Sequence, residues 1–187
     1  MGKALGVPAH RLLGGALRER VKVAFWTGQR TPADAVRKAL EAVQGGFDTI
    51  KFKCDLEDDV AAWASGIRDA CGERLRIVLD PNGRFRTVAD AVRIARALEE
   101  AGNVAILEDP IPRWDLRGYR RIREKTAIPV AVHVALPYVE LGQLPQDALE
   151  AIREEACDAF NFNGGMAAFV RLADLAGLAG LECWHGN

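Results

Sequence analysis

No run of apolar residues approaches the ~18 that a helix needs to cross a bilayer, although apolar residues make up 49% of the chain. A membrane partner is therefore not expected. No long apolar core follows the first six residues, Met1 to Gly6, so they do not read as a signal peptide. An excess of one charge is missing too. The formal net charge is −1 and acids and bases are interspersed, which argues against nucleic acid or another polyanion as a partner. Cysteine is sparse: Cys54, Cys71, Cys157 and Cys183 are widely spaced, with no CxxC pair. That excludes the usual zinc spacings and reads as reduced, buried thiols in a cytoplasmic protein. Neither GxGxxG nor a P-loop is present, so the phosphate-binding loop of many open α/β sheets is lacking.

What is present is an alternation of short apolar runs with helical stretches over 187 residues, enough for one domain with a substantial core. Residues 1–20 read as a segment leading into the domain, and residues 21–187 as the domain itself. Strands are expected at 21–25, 49–54, 76–79, 104–107, 128–133, 159–162 and 181–185. Helices are expected between them, from 31 to about 43, 57 to 72, 88 to 101, 114 to 125, within 145–156, and 166 to 179. The strands are apolar throughout rather than alternating, as in a parallel sheet covered by helices. An open doubly wound sheet and a (β/α) barrel both fit this pattern. The barrel is preferred because polar residues recur where successive strands end: Lys53, Asp80, Glu108, His133, Asn163 and His185. Barrel enzymes place their chemistry on that rim. Only seven strands are visible, so the expected fold is an incomplete TIM-type barrel with two exposed edges, and the chain reads as a fragment of a longer protein.

Three runs carry the chemistry. In Ile50-Lys51-Phe52-Lys53-Cys54 the two lysines are two apart and share a strand face. Mutual repulsion is expected to lower the pKa of at least one, making it a candidate base. Val78-Leu79-Asp80-Pro81-Asn82 and Ile106-Leu107-Glu108-Asp109-Pro110 each end a strand in a carboxylate, and two such carboxylates invite a hard divalent cation. Base and cation together suggest abstraction of a proton beside a carboxylate. For Asp109, next to Pro110, turn formation and ligation stay open, as do ligand and core roles for His133. Trp26, Trp63 and Trp114 read as packing residues, whereas Trp184 is placed to line the site.

On these residues the chain resembles the enolase superfamily, in its mandelate racemase and muconate lactonizing enzyme branch. Gly6-Val7-Pro8 with Leu12-Leu13-Gly14-Gly15 resembles the approach to that family's barrel. Lys51-Phe52-Lys53 resembles its KxK motif, and Asp80-Pro81-Asn82 and Glu108-Asp109-Pro110 its first two metal-ligand strands. The resemblance implies abstraction of the proton α to a carboxylate, with an enediolate held on Mg²⁺. It implies Lys53 as base, Lys51 on the substrate carboxylate, Asp80 and Glu108 as metal ligands and Asn82 in support. It implies a small carboxylic acid as substrate, and a homo-oligomer is expected.

Three positions depart from the family pattern. His133 stands where a third carboxylate ligand is expected, and a carboxylate pair plus imidazole suits Mn²⁺, Fe²⁺ or Zn²⁺ better than Mg²⁺. Asn163 stands near the place of a lysine on the sixth strand. His185 lies one residue from the histidine of the racemase branch, and one residue on a strand reverses its facing. The family's N-terminal capping domain is not represented, so the fragment is expected to be weakly active or inactive alone. The activity implied is that of an acid-sugar dehydratase or a racemase/epimerase. Alternatives are a Schiff-base aldolase using Lys53 and a catalytically silent barrel remnant serving binding or assembly.

Overall fold

The computed structural model describes residues 1–134 and 144–186. A short helix α1 (Gly2–Leu5) and a 3₁₀ turn (Ala9–Leu13) lead in, the turn lying against the last helix. Then β1 (Phe25–Thr27), α2 (Pro32–Gln44), β2 (Thr49–Lys53), α3 (Val60–Cys71), β3 (Arg76–Asp80) and α4 (Val88–Glu99) follow. The chain continues through β4 (Val104–Glu108), α5 (Leu116–Arg123), β5 (Val130–Val134), α6 (Leu144–Arg153), β6 (Ala159–Phe162), α7 (Met166–Leu178) and β7 (Glu182–His185). All seven strands are parallel and lie in sequence order, giving an open half-barrel as expected.

Helix starts follow local chemistry. Thr31 accepts the Asp34 N–H with Pro32 in the first turn, Thr87 accepts the Asp90 N–H, and Asp115 accepts the Gly118 N–H. The helix expected from residue 57 starts later, at Val60, because Asp59 and not Glu57 caps it by accepting the Ala62 N–H. The first strand also differs from expectation. It begins at Phe25, paired with Ile50, so the alternating residues before it lie beyond the start of β2 and find no strand to pair with. Val21 and Val23 are accordingly exposed.

Side chains paired across parallel strands point the same way, which sorts the sheet into two faces. Ile50, Phe52, Ile77, Leu79, Leu107, Val130, Val132, Phe160 and Phe162 face the helices and form the core with Trp63, Ile67, Ala91, Leu98 and Tyr119. The opposite, concave face carries Trp26, Lys51, Lys53, Val78, Asp80, Ile106, Glu108, His133, Asn161 and Trp184. Val78 and Ile106 are only half-buried there, so the packed core lies outside the strands and the concave face is open. Of the four tryptophans, Trp63 packs in the core as expected, but Trp26 is 63% and Trp114 84% exposed. Trp26 sits on edge strand β1, and Trp114 on the β4–α5 loop, where no described element covers them. The four cysteines are free, and burial pushes the Cys157 thiol up to about 12, so it is inert at neutral pH.

Candidate active site

Lys53, Asp80 and Glu108 are the last residues of β2, β3 and β4, so parallel pairing sets them side by side at the C-terminal rim. Lys51 Nζ lies 2.7 Å from Glu108 Oε2 and 2.8 Å from Asp80 Oδ2. Lys53 Nζ lies 2.5 Å from Asp80 Oδ2 and donates to Asn82 Oδ1 at 2.7 Å. The Asn82 N–H in turn donates to Asp80 Oδ1 at 3.1 Å. Asp80 and Glu108 have no exposure at all, whereas Lys51 and Lys53 keep 16% and 27% of theirs. The acids therefore form the floor and the ammonium groups face the open mouth.

Charge in this floor is balanced by contact. Burial pushes Lys51 down, but the Glu108 and Asp80 carboxylates outweigh it and hold the ammonium above its usual range. This reverses the expectation of a lysine lowered by its neighbour: at Lys51 two carboxylates in direct contact decide the balance. Burial raises the Asp80 carboxyl, but Lys51 and Lys53 bring it below the usual value. Glu108 goes the other way: burial and the nearby Asp80 charge hold it above the ordinary carboxylate range despite Lys51.

His133, on β5, approaches the same floor. Its Nδ1 is 3.8 Å from Glu108 Oε1 and 3.4 Å from Arg113 Nη2, and its Nε2 is 2.9 Å from Asn163 Oδ1. Arginine only donates, so Nδ1 is the accepting nitrogen and Nε2–H donates to Asn163. Burial holds this imidazole below its usual pKa, and it is neutral near pH 7. Asp109 is completely buried and belongs to a clamp. It accepts the His133 N–H at 2.9 Å, the Tyr119 hydroxyl at 3.2 Å and Arg113 at 2.6 Å. Both its oxygens are thus engaged, and turn chemistry decides its place: its φ is 45°.

Three participants were not singled out from sequence. Asn161 donates to Glu108 Oε1 at 2.8 Å, and Arg113 and Tyr119 hold Asp109. Asn161 was legible in principle, since strand alternation puts it on the His133 side; Arg113 and Tyr119, in a loop and a helix, carry no such signal. Trp184 pairs with Asn161 and is on the concave face, as a lining residue would be. His185 pairs with Phe162 and is on the other face. Its ring packs edge-on against Phe169 of α7, 5.1 Å between centroids, and Nε2 lies 3.0 Å from the Gly164 carbonyl. The structure does not bring His185 together with the lysines.

The donor set fits a divalent cation. Two fully buried carboxylates converge from adjacent strands, and the buried Asn161 Oδ1 has no hydrogen-bond partner. One donor atom each from Glu108, Asp109 and His133 lies within 4.8 Å of the others.

A parallel half-barrel thus carries lysines over paired carboxylates at one rim, the end at which barrel folds place their sites. Residues 34–187 match the family described as Enolase C-terminal domain-like, and the chain belongs to it, in the mandelate racemase/muconate lactonizing branch of the enolase superfamily. The chain is 31% identical over 204 residues to D-gluconate dehydratase from Thermoproteus tenax, a match covering 99% of this chain and 39% of that protein. It is 30% identical over 192 residues to the hydrophobic dipeptide epimerase of Enterococcus faecalis V583, covering all of this chain and 51% of that one. The structure of the Enterococcus faecalis V583 dipeptide epimerase with Mg and L-Leu-L-Tyr superposes with a TM-score of 0.86 at 28% identity, over 100% of this chain and 51% of that chain. A Bradyrhizobium enolase with magnesium and mandelic acid gives 0.82 at 26% identity, over 99% and 51%. The chain thus spans about half the length of these relatives, or less.

Proposed function

We propose that this rim abstracts the proton α to the carboxylate of a small hydroxy acid or acid sugar, as a dehydratase or a racemase/epimerase. The single observation that carries this reading is the interlocked set of Lys51, Lys53, Asp80 and Glu108, contributed by three adjacent strands to one mouth. Such a proton is weakly acidic, and its removal needs a base beside concentrated positive charge. Asp80, Glu108 and His133 would hold a divalent cation, Mg²⁺ or Mn²⁺, which supplies positive charge opposite the carboxylate oxygens. Lys53, the more exposed lysine, is the base, and Asn82 orients its nitrogen. Lys51, deeper in the floor, holds the substrate carboxylate, and Asn161 fixes Glu108. That relatives include dehydratases and epimerases, and that related structures hold magnesium with mandelic acid or a dipeptide, supports both halves of this reading. The aldolase alternative leaves the Asp80–Glu108 floor without a task, and a silent remnant leaves the exposed lysines without one.

The test is exchange of the α-proton in D₂O, followed by NMR with the full-length protein and a panel of 2-hydroxy acids. Lys53→Met is expected to slow exchange at least about 10²-fold, the usual worth of a positioned base. Exchange at the wild-type rate in that variant would remove Lys53 from the reaction.

A further inference from the structure

Among the described residues, a further cation lies near the mouth and has no part in proton abstraction. Arg113 lies on the β4–α5 loop and lines a cavity of about 430 Å³ with Asn82, Gly83 and Pro112. Asn82, which also lines it, accepts from Lys53. Arg113 is held in place: Nε and Nη2 are both 2.6 Å from buried Asp109 Oδ2, and Nη2 is 3.4 Å from His133 Nδ1. It is nevertheless 34% exposed, more than Lys51 or Lys53, while its partner Asp109 has no exposure. A cation turned to the cavity over a fully covered counter-ion presents positive charge to whatever occupies the cavity. Guanidinium also keeps its charge when partly buried.

We propose that Arg113 is a specificity-determining residue that binds a second carboxylate, and that the substrate is a diacid rather than a monoacid. This rests on the proton-abstraction reading for the role of the first carboxylate. One acid group reaches the Lys51–Lys53 side of the mouth and the other reaches Arg113. The β4–α5 loop sets the separation, and that loop is braced by Tyr119, whose hydroxyl donates to Asp109 and lies 2.9 Å from the Ile111 carbonyl.

The experiment compares galactarate and galactonate, which differ only in a terminal carboxylate against a terminal hydroxymethyl group. Binding of each to the full-length, Mg²⁺-loaded protein is measured by calorimetry. The diacid is expected to bind at least about tenfold more tightly than the monoacid. In Arg113→Met that preference should fall to about one, with galactonate affinity changed by less than about threefold. Arg113→Met strands a buried carboxylate and is the variant most at risk of not folding. The paired variant Asp109→Asn/Arg113→Met strands no charge and must show the same loss of preference. Equal affinities in the wild type, no measurable affinity for either acid, or a preference kept in the variants overturns the proposal. Equal weakening of both acids assigns Arg113 a structural role and overturns it as well. The outcome is separable from that of proton abstraction, because α-proton exchange is scored on the same wild-type sample. Absent exchange with an intact, Arg113-dependent diacid preference sinks the chemistry and leaves the subsite standing.

Discussion

Glu108 carries a cost that its neighbours do not remove. Burial and the Asp80 charge hold its folded pKa above the usual 4.5, so its favourable contribution to folding is present below that value and is lost as pH rises through the folded pKa. Ionising the group therefore strains the metal-free protein, whereas a bound cation would offset that strain. Glu108→Gln retains the shape and relieves the repulsion. The urea midpoint of the metal-free variant is expected at or above that of the wild type at pH 7, with the gap closing as pH falls toward 4.5. The same variant should lose most of the stabilisation by Mg²⁺, which for a single site at a hundredfold excess over Kd is about 2.7 kcal/mol. A variant that keeps the full Mg²⁺ gain would take Glu108 out of the metal site. Lys51 and Asp80 show the opposite balance, where ion contacts outweigh burial.

The elements that shape the mouth are the β3–α4 and β4–α5 loops. They touch where Gly83, at φ 79°, passes Pro112: an added Cβ would stand 3.3 Å from Pro112 Cα. Gly83 N–H also donates to the Asp109 carbonyl at 2.7 Å, so the two loops are tied through backbone as well. Gly83→Ala combines a left-handed backbone with a tight contact against main chain, and a cost of about 1–3 kcal/mol is expected. Because Asn82 precedes it and holds Lys53, the variant should also slow α-proton exchange. A urea titration showing no loss of stability would contradict the first expectation, and unaltered exchange the second.

At the scale of the molecule, the described residues pack the sheet on one side only. Helices cover the convex face, the concave face is open, and β1 and β7 are each paired along one edge. Unpaired parallel edges attract further strands, and Trp26 on β1 adds an exposed apolar side chain to one of them. The 187-residue chain alone is therefore expected to self-associate as concentration rises. Light scattering that reports a monomer across the millimolar range would contradict this. Among the described residues no helix is long and apolar enough to cross a membrane.

Residue order alone determined the parallel α/β architecture, its seven strands and which charged residues end them, because strand periodicity and the ends of apolar runs are local properties. Lys51, Lys53, Asp80 and Glu108 were legible for that reason: each closes or nearly closes a strand, and parallel strands in order must bring their ends together. Tertiary structure alone decided which influence prevails at Lys51, Asp80 and Glu108, since that depends on distances between strands. It also turned His185 toward α7, through a register only the sheet defines, and engaged both oxygens of Asp109 in a clamp with Tyr119 and Arg113. Contacts made by a loop, a helix and two strand ends leave no periodic trace in the sequence, so the clamp and the arginine it holds became visible only once the chain was folded.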